Sequence, residues 1–115
     1  MRIPKDRGKF LGIKPLSANQ SYLGVKKRSW KYKTYEREIA KLLPNVTIPD
    51  GELSLVIHVY YSNRASDLDN VIKPLLDCLQ RHYCFNDNRI YAIKAYKHIV
   101  PKGEEGISFS LGKIE

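Results

Sequence analysis

Between Leu68 and Leu79 the apolar residues Leu68, Val71, Ile72, Leu75, Leu76 and Leu79 recur at i, i+3, i+4, i+7, i+8 and i+11. A spacing that returns to one face every 3.6 residues predicts an amphipathic helix. Pro74 fits if Asp69 or Asn70 is the N-cap, because the proline then falls in or just past the first turn and removes few intrahelical bonds. Upstream, Leu53, Leu55, Ile57, Val59 and Tyr61 alternate with Ser54, Val56, His58 and Tyr60, the period of a half-buried strand. A second helical pattern, Tyr32, Tyr35, Ile39, Leu42 and Leu43, follows Ser29, a favoured cap residue, and stops at Pro44.

The remaining elements have shorter signals. Lys9 to Lys14 reads as a first strand, and residues 15–28, with Pro15, Ser17, Asn19, Ser21 and Gly24, as a loop. The turn Asn86-Asp87-Asn88 leads into a strand from Ile90 to about Val100. A connection from Pro101 to Gly106 then precedes a last strand with Ile107, Phe109 and Leu111 on one face. The order β-α-β-α-β-β predicts an α/β (α+β) fold: a single mixed sheet of about four strands with two helices on one face. Strand–helix–strand units are expected to be right-handed parallel crossovers, and the last two strands an antiparallel pair.

At 115 residues and 43% apolar composition, the chain has the size and core of a single domain, with the first eight residues as a flexible basic arm. There is no apolar run of 18 residues and no signal-peptide pattern, which points to the cytoplasm. Two cysteines make no disulfide framework. Cys78 falls on the apolar side of a helix, and the spacing of Cys78, His82 and Cys84 matches none of the usual paired zinc patterns.

Charge changes the picture more. The net charge is +8 and the pI near 9.5, values that imply a polyanionic partner. Residues 1–41 hold 12 Lys/Arg against 3 Asp/Glu, and residues 42–115 hold 8 against 9. The basic stretch Lys26, Lys27, Arg28, Lys31 and Lys33, interleaved with Tyr22, Trp30, Tyr32 and Tyr35, is the candidate phosphate-contacting surface. Tyr32 and Tyr35 belong to the helix's apolar stripe, whereas Trp30 and Tyr22 are freer to stack on bases.

Against this background Asp67, Asp69 and Asp87 stand out. Carboxylates gathered at one place repel one another and resist ionising unless a cation joins them. Oxygen donors suit Mg2+, which bridges to substrate phosphate. Lys73, four residues after Asp69 on the same helix face, is placed to steady the charge that develops on an attacked phosphodiester. The alternative is structural: Asp67, Asp69 and Asn70 are all favoured caps, Asn86-Asp87-Asn88 is ordinary turn chemistry, and Lys73 is a solvated i+4 partner of Asp69. Whether Asp87 meets the other two depends on topology, which the sequence leaves open.

The run Arg64-Ala65-Ser66-Asp67-Leu68-Asp69-Asn70-Val71-Ile72-Lys73-Pro74-Leu75-Leu76-Asp77, followed by Asn86-Asp87-Asn88-Arg89-Ile90, closely resembles the RusA family of Holliday junction resolvases. Pro15-Leu16-Ser17-Ala18-Asn19-Gln20-Ser21-Tyr22 is similar to the family's early P-x-S-x-N loop. The resemblance implies a homodimeric, Mg2+-dependent endodeoxyribonuclease that resolves four-way and other branched DNA by paired nicks. It implies Asp67, Asp69 and Asp87 as catalytic metal ligands and Lys73 as the catalytic lysine. With the basic stretch, it implies DNA contacts from Asn19, Tyr22, Lys26, Lys27, Arg28, Lys31, Arg64 and Asn70. Two departures stand out: Asn86-Asp87 replaces the consecutive aspartates of many members, and Arg64 stands where several have a denser arginine run. Rival functions are a nuclease with a wider taste for flaps and forks, and a non-catalytic nucleic-acid-binding module. The doubly apolar strand around Ile90 to Val100 is the candidate for part of a dimer contact.

Overall fold

The computed structural model describes residues 8–16, 22–23, 27–28 and 30–114. Residues 1–7 of the expected basic arm, the expected Ser29 cap, Asn19 and Lys26 lie outside the described residues. The alternating segment forms strand β4 (Leu53–Tyr61), with Leu53, Leu55, Ile57 and Val59 fully buried on one face. Helix α1 (Trp30–Leu42) brings Tyr32, Tyr35 and Ile39 to that face, and helix α2 (Asp69–Tyr83) brings Val71, Leu75, Cys78 and Leu79. Full burial of each aliphatic side chain contributes about 1.5–3 kcal/mol of transfer free energy, so this single cluster dominates the fold's stability.

The remaining strands are β1 (Phe10–Leu11), β5 (Ile90–Ile99) and β6 (Gly106–Lys113), and the mixed four-stranded sheet has the order β1-β6-β4-β5. β4 pairs in parallel with β5, from Leu53 opposite Ile90 to Tyr61 opposite Ile99, and antiparallel with β6. The expected fold class, with two helices on one face, is therefore present. The last two strands run in opposite directions but do not pair, because β4 lies between them. β6 carries Ile107 and Phe109 into the core and leaves small residues such as Ser108 and Ser110 on its other face, which suits a central position. β5 bears Lys94 and Lys97, and charged side chains are tolerated best on an edge.

The face without helices is tied together by rings. Phe10 meets Tyr60 edge-on at 5.3 Å, Tyr60 stacks on His98 at 4.8 Å, and His58 stacks on His98 at 5.1 Å and on Tyr96 at 4.9 Å. Nδ1 of His58 lies 2.8 Å from Nε2 of His98, so one imidazole donates and the other accepts. The ladder fastens edge strands β1 and β5 to the centre.

In the stretch expected to be a loop, β2 (Tyr22–Leu23) and β3 (Lys27–Arg28) form a small antiparallel hairpin. Two-residue strands are too short to show a period, so turn residues dominate the sequence signal there. No helix among the described residues is long and apolar enough to cross a membrane.

Candidate active site

At the carboxyl end of β4 the chain turns sharply before entering α2. Asn63 Oδ1 accepts from the Ala65 N–H at 2.8 Å, and the Asn63 carbonyl accepts from the Ser66 N–H at 3.3 Å. Side-chain acceptance two residues on is what makes asparagine a turn former. Lys97, reaching over from β5, donates its ammonium to the Arg64 carbonyl at 2.7 Å and also to the Ser66 carbonyl. The Tyr61 hydroxyl donates to the Asp67 carbonyl at 3.2 Å. The turn is thus held from the sheet on its way to Asp67.

Helix α2 starts one residue earlier than an Asp69 cap allows and two earlier than an Asn70 cap allows. Its N-cap is Leu68, in helical conformation (φ −65°, ψ −40°) and without a side-chain capping bond, so Asp69 is already the first helical residue. Leu68 packs partly against the core, and that anchor sets the entry of the helix in place of a polar cap. Pro74 is consequently the sixth helical residue and is buried. It costs one bond, the one its missing N–H would give to the Asn70 carbonyl. The capping explanation for the acidic pair therefore finds no bond to rest on. Asp67 and Asp69 are both exposed, and among the described residues neither carboxylate has a hydrogen-bond or ion-pair partner.

Their field is felt by a neighbour. The Tyr61 phenol is held above its ordinary range by burial and then by the negative charges of Asp67 and Asp69, which oppose a third anion beside them. The helix start itself favours negative charge, since unpaired N–H groups give that end a positive potential. Carboxylates open to solvent at a helix N-terminus are hard oxygen donors of the kind that Mg2+ takes.

Lys73 lies one turn into α2, with its side chain 63% exposed, and its ammonium is 3.4 Å from the Asp77 carboxylate. Its partner is thus Asp77 on the C-terminal side, not Asp69. Asp77 is nearly buried, on the same helix face as Pro74 and Cys78. Its burial has little signal in the sequence, because position 77 lies outside the stripe at 68, 71, 72, 75, 76 and 79; only the four-residue spacing from Lys73 points to the pair.

Asp87 stands in a 3-10 turn (Asp87–Arg89) between α2 and β5. Asn86 Oδ1 accepts from the Asn88 N–H at 2.9 Å, and the Asp87 N–H donates to Gln80 Oε1 at 2.8 Å. Arg89 donates to the carbonyls of Gly51, at 3.1 Å, and Pro49. The Asp87 carboxylate is exposed. The parallel register puts it at the wrong end for a site within one chain. Ile90 is level with Leu53, at the start of β4, whereas Asp67 follows its end at Tyr61. Strand rise of about 3.3 Å per residue along β4 separates Asp87 from the acidic pair by about 25 Å. Accordingly, no group of three or more His, Cys, Asp or Glu that could hold a metal occurs among the described residues. Cys78 is buried against the Tyr32 hydroxyl, and Cys84 is exposed.

The candidate DNA contacts are scattered over several elements. Lys31 is exposed on α1 beside Trp30, which is 69% exposed. Arg64 is exposed in the turn before Asp67, and Asn70 is half-buried in the first turn of α2. Tyr22, Lys27 and Arg28 belong to the β2–β3 hairpin. Lys97, Tyr61 and Gln80 escaped the sequence reading, because each acts on backbone atoms 6 to 33 residues away.

Two comparisons with known proteins bear on this arrangement. A family model described as endodeoxyribonuclease RusA matches residues 13–107. No curated protein matches the chain.

Proposed function

The chain belongs to the RusA family of endodeoxyribonucleases, which act on Holliday junctions, and from that premise we propose that it is a Mg2+-dependent resolvase whose active site is completed by a second copy of itself. The observation that carries this reading is the exposed Asp67–Asp69 pair at the start of α2, without an ion-pair partner among the described residues, with Lys73 one turn on and Asp87 at the far end of the same helix. Asp67 and Asp69 of one copy and Asp87 of the other would hold the metal. When bound, Mg2+ supplies an activated water and neutralises charge on the attacked phosphodiester. The protein's own part is positional. Asp67 and Asp69 draw the phosphate's counter-ion to the helix start, and Lys73 places a cation beside the scissile group, where negative charge grows during attack.

A two-fold axis through the middle of β5 accounts for the separation. Such an axis brings the Asp87 end of one copy against the Asp67 end of its partner, twice over, and gives two equivalent sites. β5 suits this contact. It is an edge strand, and Tyr91, Ile93 and Ile99 expose 63%, 41% and 40% of their surface. A four-way junction has the same symmetry, so two related sites make the paired nicks. Affinity comes from the basic stretch at Lys26, Lys27, Arg28 and Lys31, with Asn19, Tyr22, Arg64 and Asn70 as further DNA contacts; such contacts position DNA and carry little sequence information.

The direct test is a purified sample on a synthetic four-way junction. Symmetric nicks with Mg2+, and none after EDTA, are expected; nicking that survives EDTA would sink the metal-dependent reading. Lys73→Ala should slow nicking about 10–100-fold with junction affinity within about twofold, because its contribution lies in charge that exists only during attack. If affinity falls in step with rate, Lys73 is a phosphate contact only.

A further inference from the structure

We propose that Lys97, working with Tyr61, is a positioning residue for the Asp67–Asp69 pair; this rests on reading those two aspartates as metal ligands. Lys97 sits on β5 opposite Val59, one register step short of the pairs that close the β4–β5 ladder at Tyr60 and Tyr61. From there its ammonium spans to two carbonyls of the turn, at Arg64 and Ser66, and passes 5.8 Å from the centre of the Tyr61 ring. Tyr61 in turn donates to the carbonyl of Asp67 itself. Three bonds from two sheet residues therefore fix the backbone at 64, 66 and 67, immediately before the N-cap Leu68 and the first helical residue, Asp69.

The choice of residue types fits the task. An ammonium has three donors and no acceptor, so it can gather several carbonyls that point away from regular structure. A carboxylate pair that must meet a cation with strict geometry needs its backbone set in advance, and outer partners that orient metal ligands are worth about 10–100-fold in metal affinity or activity. A lysine held by two carbonyls of the acidic turn is also poorly placed as a DNA phosphate contact, which separates this role from that of the basic stretch. Lys97 acts through Asp67 and Asp69 and touches no reacting atom.

Two measurements test the clamp. The first is amide hydrogen exchange across residues 62–68 in metal-free, DNA-free protein. The second is the Mg2+ concentration for half-maximal nicking of a four-way junction. Lys97→Met should speed exchange in that segment several-fold and raise the Mg2+ requirement about 10–100-fold, with junction affinity unchanged. Lys97→Arg should restore both, since a guanidinium can also donate to two carbonyls. Tyr61→Phe, which loses only the bond to the Asp67 carbonyl, should move both readouts in the same direction by less, and it keeps the test open if Lys97→Met does not fold. Wild-type exchange and Mg2+ requirement in these variants overturn the clamp, as does a loss of junction affinity that parallels the loss of rate. Asp67→Asn is run alongside. If that variant nicks normally, the ligand assignment beneath the clamp has failed; if it is dead while the clamp variants behave as wild type, the clamp alone has failed.

Discussion

Two inactive variants, Asp69→Asn and Asp87→Asn, should regain nicking when they are joined in one heterodimer. If each site takes Asp67 and Asp69 from one copy and Asp87 from the other, the heterodimer concentrates both lesions in one site and leaves the second intact. Two differently tagged chains, co-expressed and purified through both tags, give this species free of either homodimer. It should nick one strand of a four-way junction at about half the wild-type rate per dimer, since one of two symmetry-related sites survives. It should yield few resolved products, because paired cuts need both sites. The physical basis is the roughly 25 Å that parallel strand geometry puts between the start and end of β4, with Ile90 level with Leu53 and Ile99 level with Tyr61. No side chain bridges that distance. A heterodimer as inactive as its parents would mean that each site lies within one chain, and a strictly monomeric protein that still resolves junctions would do equal damage.

The second large effect is a split between cutting and binding. Asp67→Asn and Asp69→Asn should each reduce nicking by more than about a hundredfold, beyond the 10–100-fold cost of losing a mere outer partner. Asparagine keeps the size of the side chain and is tolerated at helix starts, and neither carboxylate caps α2, so folding should be intact. Junction affinity should stay level or rise. A carboxylate about 8 Å from a phosphate costs about 0.5 kcal/mol in water, so its removal tightens binding about twofold. A hundredfold on rate against twofold on affinity is the signature of a ligand to catalytic metal. Gel-shift titration in EDTA beside nicking in Mg2+ measures both. A variant that nicks at the wild-type rate at saturating Mg2+ removes its residue from the site.

Much of the fold was legible because periodicity is a local property. β4 begins and ends where the Leu53-to-Tyr61 alternation does, and α2 covers the Leu68-to-Leu79 stripe, since the burial of those side chains is what forms the elements. The hairpin of β2 and β3 was not legible, being too short to repeat any pattern. The position of β6 between β1 and β4 was hidden for a different reason. Strand order is decided by which strand best fills the middle of the sheet, and adjacency in the chain only biases that competition.

The acidic site divides along the same line. The sequence by itself determined the side chains on offer: two aspartates with a single residue between them at a strand-to-helix junction, a lysine one turn into the helix, an aspartate turn before the next strand, and a basic amino-terminal third. Those are choices of side chain and spacing, which local rules read directly. Only the tertiary structure decided that Asp67 and Asp69 do not cap α2, that Lys73 leans on Asp77, and that Lys97 holds the acidic turn from a neighbouring strand. It also decided that Asp87 stands at the opposite end of the sheet from the pair, because a parallel crossover carries the chain back along the full length of its helix before the next strand begins.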